Sequence, residues 1–134
     1  MEASCAELRE EAHKVLAGLG AAGDIIDDVL TVVTELVSNA RRHAGGVTGF
    51  RVTGADSGSG GGSAVSIAVS DASPEPPRPQ PWAPQAPGGF GWLLVNRLAD
   101  STRVEVRPDG KTITATFALD GSAPEAAPEA APPA

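Results

Sequence analysis

Thr34-Glu35-Leu36-Val37-Ser38-Asn39-Ala40-Arg41-Arg42-His43-Ala44 closes a segment whose apolar residues recur at three- and four-residue intervals, namely Ile26, Val29, Leu30, Val33, Leu36, Val37 and Ala40. That period predicts one long amphipathic helix, with Asp24 as its expected N-cap and Gly45-Gly46 as its stop. At about 100° per residue, Glu35 and Asn39 lie about 40° apart and nearly opposite the apolar stripe. A carboxylate and an amide one turn apart can together hold a hydrated divalent cation or orient a water. Polar residues opposite an apolar stripe are, however, ordinarily just solvated. The pair acquires weight only from what surrounds it.

Upstream, Leu8, Ala12, Val15 and Leu16 mark a first amphipathic helix, separated from the second by the glycine-bearing turn Gly18 to Gly23. Downstream the period becomes alternating. Phe50 to Thr53 and Ala64 to Val69 read as strands joined by a Gly/Ser-rich loop, residues 54–63, of tether composition. Pro74 to Pro87 is too proline-rich for helix or central strand. Gly88-Gly89-Phe90-Gly91 then opens a third helix running to Asp100, and strands at 102–107 and 112–118 flank the turn Pro108-Asp109-Gly110-Lys111. From Gly121 the chain is an Ala/Pro/Glu near-repeat with nothing large to bury, expected as a disordered tail over 121–134 behind a single folded domain over 1–120. Two pairs of sequential strands with three helices imply an α+β two-layer sandwich, an antiparallel or mixed sheet with helices on one face.

At 134 residues, 41% hydrophobic and 20% charged, the chain has the composition of one globular domain. A formal charge of −7 with scattered Lys and Arg argues against direct nucleic-acid binding. No apolar run approaches the roughly 20 residues of a membrane span, and the first residues lack the pattern of a secretion signal. Cys5 is the only cysteine, which removes internal disulfides and cysteine metal clusters and suits a cytoplasmic setting.

Three further segments follow the Glu35/Asn39 helix in a suggestive order. Asp71 stands where an apolar strand meets a loop, a place from which a carboxylate can accept from a ligand amine. The glycines at 88, 89 and 91 let backbone N–H groups and a helix N-terminus approach phosphate oxygens, although a glycine turn before a helix is more often a packing device. Lys111-Thr112 opens the last strand. Trp82 and Trp92 read as packing anchors, and Arg41 and Arg42 suit a helix C-terminus without any ligand.

Together these segments, from about Asp24 to Phe117, resemble the GHKL (Bergerat-fold) ATPase superfamily with its histidine-kinase-like ATPase fold. More narrowly they are similar to the anti-sigma-factor serine/threonine kinases. The resemblance implies ATP and Mg²⁺ as cofactors, with Asn39 coordinating magnesium and Glu35 as general base. It implies that Asp71 binds the adenine amine, that Gly89, Gly91 and Leu93 belong to the turn and helix touching the phosphates, and that Thr112 bridges with Asp71 at the adenine end. Pro74 to Pro87 would take the place of the ATP lid, with Arg78 able to reach a phosphate. Two departures stand out: Asp71-Ala72-Ser73-Pro74 lacks the family's glycines, and no strand is legible ahead of the first helix.

What the resemblance implies for function is phosphorylation of a serine or threonine on a partner protein and regulation of transcription by partner switching. The partners would be a sigma factor and a STAS-type anti-sigma antagonist, and a homodimer is implied. The alternative is a non-catalytic nucleotide-sensing adaptor for the same partners. A histidine-kinase module with His13 as phosphoacceptor is the third reading, disfavoured because the chain has no room for a separate dimerisation hairpin.

Overall fold

The structure, a computed structural model, describes residues 4–56, 63–75 and 91–119. The elements run α1 (Cys5–Gly18), α2 (Gly23–Ala44), β1 (Val47–Asp56), β2 (Ser63–Asp71), α3 (Gly91–Leu98), β3 (Ser101–Arg107) and β4 (Gly110–Ala118). The four strands form one sheet in the order β1-β2-β4-β3, and every pairing is antiparallel. Of the two expected sheet types, antiparallel is the one observed among the described residues. The Gly/Ser loop at 57–62, most of the proline-rich stretch with Arg78 and Trp82, the glycines at 88 and 89, and the Ala/Pro/Glu tail lie outside them.

Local chemistry explains the helix ends. Ser4 caps α1 through a reciprocal box, its hydroxyl accepting from the Glu7 N–H at 3.1 Å while the Glu7 carboxylate accepts from the Ser4 N–H at 2.8 Å. The expected Asp24 cap of α2 is not formed: the N-cap is Ala22, and Asp24 falls inside the first turn, where its charge still favours the helix dipole. At the other end Gly45 adopts φ +79°, and Gly46 donates back to the Ala40 carbonyl, which stops α2 where the double glycine predicts.

One face of the sheet carries the core. Val65, Ile67 and Val69 on β2 alternate with half-buried small or polar neighbours, as do Ile113, Ala115 and Phe117 on β4. Against them pack Leu8, Ala12 and Leu16 of α1 and Val29, Val33, Leu36, Val37 and Ala40 of α2. Each large side chain so enclosed contributes about 1.5–3 kcal/mol of transfer free energy. The opposite face bears Ser66, Ala68 and Ser70 beside Thr112, Thr114 and Thr116. There Ser66 and Thr116 hydroxyls lie 3.1 Å apart, and those of Ser70 and Thr112 2.8 Å apart.

In the helix layer α2 touches α1, α3 and strands β1, β2 and β4. A helix with neighbours on both flanks needs a wider apolar arc than its sheet-facing stripe, and Val32, outside the stripe read from the sequence, is fully buried. Glu35 and Asn39 consequently do not lie on a solvated far face. Both are half-buried, at the α3 flank of α2.

Candidate functional site

Two polar clusters sit on the helix side of the sheet. The first is made by α2 and the start of α3. Gly91, the first residue of α3, is buried, and a Cβ built on it would stand 2.6 Å from Glu35 Oε1 and 3.5 Å from Asn39 Nδ2. Only a residue without a side chain lets the third helix begin that close to the carboxylate and the amide. The α3 N-terminus, whose first N–H groups have no acceptor within the helix and which carries the positive dipole end, therefore abuts both polar side chains.

Asn39 Oδ1 is the one buried side-chain oxygen or nitrogen among the described residues that lacks a hydrogen-bond partner. Burying an amide oxygen unpaired costs about 1–3 kcal/mol, so its retention calls for a reason. A divalent cation supplies one, because an amide oxygen is a hard ligand. Among the described residues no three His, Cys, Asp or Glu side chains converge on one point. A magnesium ion at Asn39 would thus draw most of its ligands from phosphate and water, as this metal commonly does.

The second cluster closes β2. Asp71 pairs with Lys111 of β4 in the strand register, and their side chains share the helix-facing side of the sheet. Lys111 Nζ lies 3.1 Å from each carboxylate oxygen, and the two side chains are only 8% and 5% exposed. The Ser73 N–H donates to Asp71 Oδ1 at 2.9 Å, and Lys111 Nζ also donates to the Ser73 carbonyl at 3.3 Å. Gly110 fits beneath the Asp71 carbonyl so closely that a Cβ there would collide with it. The carboxylate is thereby held by its own loop and by the neighbouring strand.

The expected site residues are distributed unevenly between these clusters. Glu35, Asn39 and Gly91 come together, and Asp71 faces the same side of the sheet; Gly89 lies outside the described residues. Leu93 is 47% exposed, two residues and about 200° around α3 from Gly91, on the side away from the face that Gly91 and Val95 bury. It does not join the pair on α2.

Thr112 does not bridge with Asp71 either. Strand alternation turns it to the far sheet face, where its hydroxyl meets Ser70 and accepts from Arg107 Nη2 at 3.1 Å. The residue beside Asp71 is Lys111. Its signal was available: Lys111 is two residues ahead of Ile113 and in phase with Ala115 and Phe117, the core-facing set.

The family described as histidine kinase-like ATPase domain matches residues 2–117 of the chain. No curated protein matches it. No described helix is long and apolar enough to cross a membrane.

Proposed function

Because the chain belongs to the histidine kinase-like ATPase domain family and so binds ATP, we propose that it is a cytoplasmic serine/threonine protein kinase of the anti-sigma-factor type. The observation that carries this reading is the buried, unpartnered Asn39 oxygen beside Glu35 at the N-terminus of α3. Phosphoryl transfer asks a protein mainly for positioning and for compensation of phosphate charge, and these groups suit both needs.

In the proposed reaction the α3 N–H groups and Asn39 hold the triphosphate end. Mg²⁺ bound at Asn39 Oδ1 would neutralise charge on the phosphate oxygens. Glu35 takes the proton of a serine or threonine hydroxyl on the partner as that oxygen bonds to the γ-phosphorus and the bond to the ADP oxygen breaks. Glu35 is half-buried rather than enclosed, which leaves a partner's side chain room to reach it. Asp71 accepts from the base amine at the other end.

The partners we propose are a sigma factor and a STAS-type antagonist that exchange on the chain according to its nucleotide, with a homodimer as the working assembly. The test is transfer of labelled phosphate from ATP to a STAS-type antagonist by wild type and Glu35→Ala. Transfer by wild type that drops by two orders of magnitude or more in the variant supports the kinase, and equal transfer by both removes Glu35 from the reaction.

The second reading, a nucleotide-sensing adaptor without transfer, is favoured by Asp71-Ala72-Ser73-Pro74, where Asp71 is already engaged by Ser73 and Lys111. ATP that remains intact after long incubation with every partner, while partner affinity changes, would select it.

A further inference from the structure

We propose that Lys111 is a base-specificity residue, which reads the purine together with Asp71 through an adjacent donor and acceptor. This rests on the nucleotide reading above and concerns its base end. A lone carboxylate at that end would sense only the exocyclic amine of the base. In this chain the carboxylate does not stand alone.

The stoichiometry of the cluster leaves one of each group spare. An ammonium has three protons. One can be shared by the two carboxylate oxygens of Asp71, each 3.1 Å from Nζ, and one goes to the Ser73 carbonyl at 3.3 Å. The third has no acceptor among the described residues. On the carboxylate, Oδ1 accepts from both the Ser73 N–H and Lys111, whereas Oδ2 has the Lys111 ammonium only at ion-pair distance and keeps a lone pair. A free acceptor and a free donor thus stand side by side. Gly110 and the Ser73 turn pin the backbone on either side of them.

Adenine presents a donor, its exocyclic amine, next to an acceptor, ring nitrogen N1. Asp71 Oδ2 accepts from the first and Lys111 donates to the second. Guanine presents the reverse order, a carbonyl oxygen and then an N–H. In the same orientation that base would set its carbonyl against the Asp71 carboxylate and its N–H against the ammonium. Mismatched buried polar groups of this kind discriminate strongly, because each is left without a partner. The pair therefore selects for the adenine edge at two atoms rather than one.

The test compares the affinity of the full chain for ATP with that for 1-deaza-ATP, which keeps the amine and lacks the N1 acceptor. The 7-deaza analogue serves as a control altered elsewhere on the ring. Losing a hydrogen bond to a charged donor should weaken 1-deaza-ATP roughly ten- to a hundredfold, with the 7-deaza analogue within about threefold of ATP. In Lys111→Met the preference for ATP over 1-deaza-ATP should collapse towards unity.

Equal binding of ATP and 1-deaza-ATP by wild type overturns the assignment, and so does a preference that persists undiminished in Lys111→Met. The wild-type comparison decides the matter if that variant does not fold. Failure of wild type to bind any of the three nucleotides defeats the nucleotide reading itself and this assignment with it, a result distinguishable from the loss of N1 discrimination alone.

Discussion

The two polar clusters solve the same problem in opposite ways. At the α2–α3 junction, Asn39 Oδ1 is buried and unpaired next to Glu35. At the β2–β4 end, Asp71 is buried as deeply as a core residue, and it is bound by Lys111 and by the Ser73 N–H. The first cluster carries an unmet demand that a ligand can satisfy. The second is complete enough to support the fold before any ligand arrives. Polar burial thus leaves a whole group unmet at Asn39, whereas at Asp71 and Lys111 the fold is served first and only a spare lone pair and a spare proton remain for a ligand.

The largest effect should come from breaking the completed cluster. Lys111→Ala leaves a buried carboxylate uncompensated, so a loss of about 3–5 kcal/mol is expected in urea unfolding. The double variant Asp71→Leu/Lys111→Met should fall closer to wild type than the single one, because it removes both charges together. If Lys111→Ala unfolds at the wild-type midpoint, the two clusters are not different in kind.

Asn39→Ala should do the reverse. Removing an unsatisfied oxygen leaves unfolding free energy within about 1 kcal/mol of wild type. The stabilisation that ATP with magnesium gives wild type, about 2.7 kcal/mol at a hundredfold excess over Kd, should vanish in the variant when both are followed by thermal unfolding.

Gly91→Ala sharpens the geometry. The added methyl meets the Glu35 carboxylate, which must swing aside, while alanine in a helix recovers about 1 kcal/mol over glycine. Stability should change little, and phosphotransfer, where measured, should fall by roughly ten- to a hundredfold. Smallest of all is Thr112→Val, on the far face of the sheet: ATP affinity within about twofold of wild type is expected by calorimetry. A tenfold loss there would show that the two sheet faces are not separate in function.

Much of this architecture is legible in the residue order. The stripes of α1 and α2, the alternation of β2 and β4, the double glycine after α2 and the family resemblance of the segments all depend on spacing along the chain. Even the α1 start is written locally, since Ser4-Cys5-Ala6-Glu7 has the spacing of a capping box. Three expectations differ from the structure: Ala22 rather than Asp24 caps α2, Glu35 and Asn39 are half-buried at the α3 flank rather than opposite the stripe, and strand alternation turns Thr112 to the far sheet face.

By itself, then, the sequence determined the elements, the core-facing side of each strand and the residue types available for chemistry, because helix and strand periods are set by local backbone geometry. Only the tertiary structure decided that α3 closes the flank of α2 over Glu35 and Asn39, and that Lys111 rather than Thr112 meets Asp71. Those outcomes depend on helix packing and on the register between β2 and β4, which bring together residues 40 or more positions apart, and no local period encodes contacts of that range.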